Sequence, residues 1–527
     1  MGFFFWWNSG PPVIKTEHTG ELPASTPLQA TPRQAFAPTT RKGYWNIDIV
    51  DDFTLPATKS LTFCGAGRNL HVEQDWAKLF RRGFSSIDRT RMVDEEYRSD
   101  YSPKPDGWKS RLKPSQRALW IPGQYFSDQP FMLAWGKNGD LANQTWFKRP
   151  TGDPLARQSM YSAASELGGG CYMFNDCPPG KMLSSFSKIF VDAENEGSSH
   201  RQDHANLYVF LYKTIRENIG PDTEVGSIGP VPVNGFGYSR RRDYNAGPHW
   251  LWDMPAKHTS TSRQFGMPDD IIGKSFSELI DFQMPGVYFL YPEFDYSIDH
   301  SDNGSRHWLA SVLHEQEVNG RFSPKKRIAW QWLFNTQSAA FPNSLKAEHP
   351  TPPMVAEGLA IFYWFTGAYG AILWDDYSNL LPDQPAPTDP AEQGLGNDRN
   401  YACYEHYVHG LWRLFKHHGD LFNGQEKYLN TNTECSYDNG KTWYKLNPNQ
   451  LKTGNRPFVR AIVNGNQVLV AATMPYAKKD QVSQVKFRYV ENGYQFYTDI
   501  TLKGDEIFLG RATMASAGAS KAATASL

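Results

Sequence analysis

Between residues 43 and 422, short apolar runs of strand character alternate with amphipathic helical stretches, and no other feature restricts this chain as strongly. Strands joined by helices pair in parallel, because a parallel neighbour can be reached only by a long crossover. The candidate strands, in order, are YWNIDIV (44–50), GFSSID (83–88), GCYMFND (170–176), KIFVDAE (188–194), EVGSIGPVPV (224–233), GVYFLYPEFD (286–295), RIAWQWLF (327–334) and GAILWDD (370–376). Between them lie NLHVEQDWAKLFRR, DHANLYVFLYKTIRENIG, HWLASVLHEQEV and MVAEGLAIFYWFTG, with NYACYEHYVHGLWRLFKHHGDLF closing the ring. Count and length predict a (β/α)8 barrel with long loops over residues 43–424. In the interval before the third candidate, RALWIPGQYF or PFMLAWG reads as an extra strand or an elaborated loop.

From 425 to 513 helical patterns vanish. Asp438-Asn439-Gly440, Asn464-Gly465 and Asn492-Gly493 each sit between alternating runs and mark tight hairpins, so six or seven strands make a small all-β sandwich after the barrel. Two domains suit a chain of 527 residues, since a single core stops growing at about 250–300. Residues 1–42, rich in Pro, Thr, Ser and Ala, are expected to be a disordered or extended leader, and 514–527 a flexible tail.

Charge is nearly balanced, 54 Lys and Arg against 55 Asp and Glu, with no basic block. Neither nucleic acid nor an anionic membrane surface is an implied partner, no segment is long and apolar enough to span a membrane, and no protein partner can be inferred. Aromatic residues make up 14% of the chain, including 17 Trp and 26 Tyr. A flat apolar face with a polar edge suits the C–H faces and hydroxyls of sugar rings, which makes a carbohydrate the expected substrate; core packing accounts for many of these side chains too. The five Cys show no metal-ligand spacing; Cys171 and Cys177 are close enough to bridge a short loop in an oxidising compartment. His200, His204, His249 and His314 have no recurrent ligand spacing, and His314-Glu315 is no HExxH because residue 318 is Val. No metal or cofactor is expected. The N-terminal MGFFFWW lacks a basic flank and a long apolar core, so a leader is either removed or replaced, or never existed; an extracellular or periplasmic location is the expectation.

KIFVDAENEGSSH (188–200) places Asp192, Glu194 and Glu196 at two-residue spacing directly after an apolar run. On a strand such residues share a face, and crowded carboxylates repel until one holds its proton, a starting point for acid/base chemistry; the bland alternative is a solvated turn. Catalytic groups of (β/α)8 enzymes gather at the C-terminal ends of the strands. The candidate strands end in Asp48, Asp51 and Asp52; Asp88 and Arg89; Asn175 and Asp176; Asp192, Glu194 and Glu196; Glu293 and Asp295; Trp330, Gln331, Trp332 and Asn335; and Trp374, Asp375 and Asp376.

Acids and Trp at these ends resemble the superfamily of (β/α)8 glycoside hydrolases. Asn195-Glu196 is similar to the Asn-Glu pair that carries the acid/base in its largest retaining clan, and YGAILWDD (369–376) to the pattern whose Trp floors the sugar subsite. The chain departs from that clan at the seventh strand, where RIAWQWLFNTQ offers no nucleophilic Glu; the nearest is Glu293. Asp192-x-Glu194-x-Glu196 also resembles the acids of chitinase-like and hyaluronidase-like barrels, although Glu194 stands where those have Asp. That resemblance implies a substrate N-acetyl group as nucleophile and no second carboxylate.

Glycoside hydrolysis needs one carboxylic acid to protonate the leaving oxygen and a second group to stabilise or attack the oxocarbenium-like centre. Glu196 is the expected acid, its proton held by Asp192 and Glu194; Glu293 is the expected nucleophile or base. A carboxylate separation near ~5.5 Å predicts retention and ~6.5–9.5 Å inversion. Tyr291 and Asp295 share the face of Glu293 and, with Asp192, Glu194, Gln331, Trp332, Trp374 and Asp375, are the candidate sugar-binding residues. Two other readings compete: a noncatalytic carbohydrate-binding or surface protein on the same barrel, and a metal-dependent hydrolase using Asp48, Asp192 and Glu293, which the scarcity of His at strand ends disfavours.

Overall fold

The computed structural model describes residues 15–16, 25–33, 52–65, 77, 79–88, 112–121, 186–192, 201–218, 220–233, 250–264, 268–287, 305–332, 334–335, 349–350, 353–375, 401–448, 451, 456–475, 477–478, 480–491, 494–504 and 506–516. Two short N-terminal strands, β1 (Lys15–Thr16) and β2 (Gln29–Ala30), precede the barrel. The barrel strands are β3 (Ser60–Gly65), β4 (Ser86–Asp88), β5 (Arg117–Ile121), β6 (Lys188–Asp192), β7 (Glu224–Ile228), β8 (Phe282–Met284) with β9 (Gly286–Val287), β10 (Lys326–Trp332) and, after a small hairpin of β11 (Phe334–Asn335) and β12 (His349–Pro350), β13 (Gly370–Asp375). Each pairs in parallel with the next, and β13 pairs with both β10 and β3, which closes the ring. β8 and β9 are two halves of the sixth strand, separated at Pro285, which has no N–H for the ladder; the Trp330 N–H reaches across to the Pro285 carbonyl at 3.3 Å. This is the (β/α)8 barrel expected from the alternation.

Two of the eight places are filled differently from the sequence expectation. The first strand is SLTFCG at 60–65, whereas YWNIDIV at 44–50 lies outside the described residues. The third is RALWI at 117–121, paired with β4 and β6; GCYMFND at 170–176 also lies outside the described residues. The two shifts compensate, so KIFVD remains fourth. The physical reason for the first is polarity inside the barrel: Thr62 and Ser86 face each other there with their hydroxyls 2.8 Å apart, so β3 alternates polar and apolar residues and lacks the continuous apolar run expected of a strand buried on both faces.

Helices α1 (Arg201–Asn218), α2 (Ser305–Phe322), α3 (Pro353–Phe362) and α4 (Tyr401–His418) follow β6, β9, β12 and β13. Their apolar faces cover the outer side of the strands, joining Ile189, Val191, Val209, Leu313, Leu359, Tyr407 and Leu411 into one core. A second core fills the barrel itself. It includes Phe190, Phe282, Ile328 and Ile372, with the Phe190 and Phe282 rings edge to face at 5.5 Å. A Cβ on Gly226 would stand 2.2 Å from the Phe282 ring, so the glycine in the fifth strand makes room for that ring. The N-terminal end of the barrel is closed by Glu224 between Lys188 (3.5 Å) and Lys326 (2.5 Å), with the Lys326 ammonium 4.2 Å from the centre of the Tyr369 ring. Burial pushes the Lys188 ammonium below the usual lysine range, against the pull of Glu224.

The C-terminal domain packs two antiparallel sheets. One contains β1, β15 (Glu434–Ser436), β16 (Trp443–Lys445), β19 (Val482–Glu491), β20 (Tyr494–Lys503) and β22 (Ala515–Ser516); the other contains β2, β14 (Lys427–Tyr428), β17 (Phe458–Asn464), β18 (Gln467–Thr473) and β21 (Phe508–Thr513). After the barrel the first sandwich strand starts at Lys427, and the N-terminal β1 and β2 add an edge strand to each sheet.

Candidate active site at the C-terminal face of the barrel

The described strands bring several of the expected residues to one rim. Asp192 is the last residue of β6 and pairs in register with Ile228. Trp332 ends β10 and lies in register with Trp374 of β13, which in turn lies in register with Cys64 of β3; Asp375 pairs with Gly65. Trp332, Trp374 and Cys64 are thus successive ladder partners on three neighbouring strands near their C-terminal ends. Glu194, Glu196, Tyr291, Glu293 and Asp295 lie outside the described residues.

Gln331 does not belong to this rim. Along β10, Trp330 faces the barrel interior, so by the two-residue alternation of a strand Gln331 faces the helices. It is fully buried there, and its Oε1 accepts the Tyr407 hydroxyl of α4 at 2.5 Å. That bond fastens the seventh strand to the last helix and keeps the amide away from the mouth.

Under the rim the barrel is floored by side chains outside the candidate sugar-binding set, although Asp88 and Trp330 are among the strand-end residues of the sequence. Trp120 of β5 and Trp330 of β10 meet with ring centroids 5.6 Å apart and planes tilted by 57°, flanked by Met284, Ile228 and Cys64. Asp88 ends the three-residue β4 and is 6% exposed. Its Oδ1 accepts the Trp120 backbone N–H at 2.8 Å, and its Oδ2 accepts the Cys64 thiol at 3.4 Å. β4 stops one pair after its ladder with β5 begins, and the carboxylate takes over as acceptor for the next free amide. Asp88 thus ties the ends of β3, β4 and β5 together. The sequence signal for Trp120 is the apolar ALWI run before Pro122-Gly123, the segment that the sequence offers as an extra strand or an elaborated loop.

In chemical terms the face offers a buried aromatic floor, a fixed carboxylate at Asp88, and strand ends at Asp192, Trp332, Trp374 and Asp375. Among the described residues no group of three or more His, Cys, Asp or Glu is arranged to hold a metal ion, and no helix is long and apolar enough to cross a membrane.

No protein-family model matches the sequence, and no curated protein does. Solved structures that are similar over most of the chain include a noncanonic maltogenic α-amylase from Thermotoga neapolitana, at 10% identity and TM-score 0.40 over 88% of this chain and 100% of that one. An α-amylase from Geobacillus thermoleovorans, solved with acarbose, aligns at 12% identity and TM-score 0.41 over 86% of this chain and 98% of that one. A glycoside hydrolase family 5 protein from Bacteroides vulgatus aligns at 12% identity and TM-score 0.39 over 86% and 89%. The barrel assignment rests on the strand pairing itself.

Proposed function

We propose that the protein is a glycoside hydrolase that cleaves a poly- or oligosaccharide at the C-terminal face of its barrel, with Glu196 as the proton donor. One observation carries this reading: the fourth strand of a closed parallel barrel ends at Asp192, and the sequence continues directly as Ala-Glu-Asn-Glu. (β/α)8 enzymes take their catalytic groups from the ends of the strands and the loops that follow them, and Glu196 comes four residues after this strand end in the sequence. In this reading Asp192 and Glu194 keep Glu196 protonated near neutral pH, and Glu293 attacks the anomeric carbon or activates water. Tyr291, Asp295, Trp332 and Trp374 would bind sugar hydroxyls and ring faces, whereas Asp375 shares the strand phase of Leu373, which faces the helices. Gln331, turned toward α4, takes no part.

The test is hydrolysis of a panel of α- and β-linked glycans by the unmodified protein and by Glu196→Gln and Glu293→Gln. Removing the acid is expected to lower kcat by about 10²–10⁴-fold while sugar binding persists. Equal loss in Glu293→Gln supports the two-carboxylate mechanism. Undiminished activity of that variant, confined to N-acetylhexosamine glycans, would instead identify the substrate as the nucleophile. Sugar binding without hydrolysis by the unmodified protein would make it a carbohydrate-binding protein and end the enzymatic reading.

A further inference from the structure

The segment at residues 25–33 precedes the barrel in sequence, yet its contacts are with the C-terminal domain and with the last helices of the barrel. Gln29 and Ala30 pair antiparallel with Arg511 and Gly510 at the edge of β21. The Thr31 N–H donates to the Leu509 carbonyl and the Thr26 N–H to the Tyr497 carbonyl, both at 2.8 Å, so the segment spans both sheets of the sandwich. Such an edge is a row of unused backbone donors and acceptors, which an extended peptide satisfies without needing any particular side chain.

Side chains supply the selectivity. Leu28 packs on the sandwich core beside Gly510, where an added Cβ would lie 3.1 Å from the Leu28 Cβ and 2.8 Å from the Phe508 ring. The Thr31 hydroxyl lies 2.7 Å from His418 Nε2 at the end of α4, a buried contact. Arg33 donates to Glu357 Oε2 of α3 at 2.7 Å; the same fully buried carboxylate is bonded by Arg413 of α4, whose guanidinium also donates to the Ile507 carbonyl at 2.8 Å. The docking positions thus lie at spacings of three and two residues: an apolar residue, Thr, then Arg. The first faces the sandwich, and the other two face barrel helices.

We propose that residues 25–33 are a separable strap, recognised as an extended peptide by the edge of β21 and by the ends of α3 and α4, and that its docking clamps the sandwich onto the barrel. The recognition is sequence-specific through Leu28, Thr31 and Arg33, and it does not require covalent continuity with the barrel. Processing of the N-terminus up to residue 24 would spare the strap, whereas processing beyond residue 33 would remove it.

The experiment uses the full chain with specific protease sites inserted between Ala24 and Ser25 and between Pro38 and Thr39, so that β1 is severed from the tested fragment. After cleavage the fragment 25–38 is expected to co-elute with the body on gel filtration. The triple substitution Leu28→Asp, Thr31→Val, Arg33→Ala is expected to release it, lowering retention by about tenfold or more. In the uncut chain the Thr26 and Thr31 amides are expected to exchange with solvent about 100-fold more slowly than in a free peptide of the same sequence. Three results would each overturn the proposal: separation of the unsubstituted fragment, undiminished retention of the triple variant, or exchange of both amides at the free-peptide rate. None of these readouts depends on glycosidase activity.

Discussion

At the scale of single residues, the turn at 436–443 shows how closely local chemistry can fix a hairpin. Asp438 Oδ1 accepts the Ser436 hydroxyl and the Thr442 N–H, both at 2.8 Å, while the Gly440 N–H donates to Ser436 Oγ and the Trp443 indole to the Gly440 carbonyl. Asn439 holds φ at +63°, a conformation Asn tolerates better than most residues. Hydrogen bonds from Thr442 draw the Asp438 carboxyl down to about 2. A depressed carboxylate stabilises the fold above its unfolded value near ~3.9, and this contribution fades as pH falls toward the folded value. Asp438→Ala is therefore expected to melt a few degrees below the parent at pH 7, with the gap shrinking below about pH 4; thermal melts at pH 7, 5 and 3 check it. Asp88 belongs to this scale too, since one carboxylate there completes the backbone pairing of a neighbouring strand.

At the scale of elements, α4 carries a set of histidines buried against α3 and the sandwich. Burial depresses His406 and His409 to about 4 and His418 to about 3, with Arg33, Arg413 and Arg511 adding to the effect and Glu357 and Asp420 opposing it. These imidazoles stay neutral in the fold while the unfolded chain protonates near ~6.5, so stability is full above that value and is lost as pH falls from about 6.5 toward 4. The loss is on the order of 2 kcal/mol for each of His406 and His409 at pH 5. Urea titrations of the parent and of His406→Gln and His409→Gln between pH 7 and 5 are expected to show a shallower pH slope in each variant. The helices around this site were legible in the sequence because about three turns of periodic pattern in α3 and about five in α4 leave little ambiguity. β3 and β5 were not, because Ser60 and Thr62 face the barrel interior and the four apolar residues of RALWI follow a buried Arg117. The rim at Asp192, Trp332 and Trp374 could be read from strand position alone. Gln331 could have been excluded by the same rule, since it is out of phase with Trp330 and Trp332.

At the scale of the whole molecule, barrel and sandwich are joined by charges taken out of water. Arg460 of β17 forms a two-pronged bond with Glu317 of α2, at 2.8 and 3.1 Å, with side-chain exposures of 0% and 1%. Nearby, Lys59 bonds the Ala368 carbonyl, the Tyr428 hydroxyl and Glu426 where the chain passes from one domain to the other. Removing one partner of a buried pair strands the other charge. Arg460→Met is therefore expected to cost about 3–5 kcal/mol, whereas Glu317→Leu with Arg460→Met together should come close to the parent. A double-mutant cycle in urea measures both. Coincident loss of barrel and sandwich signals is the expected form of every transition in that series, because the pair belongs equally to both domains.

The plug of Lys188, Glu224, Lys326 and Tyr369 has a consequence for traffic. With those charges at its N-terminal end and Phe190, Phe282, Ile328 and Ile372 packed inside, the barrel is a filled cup and not a tube. Nothing threads along its axis. Whatever binds at the rim is therefore reached from the C-terminal face and never through the interior of the barrel.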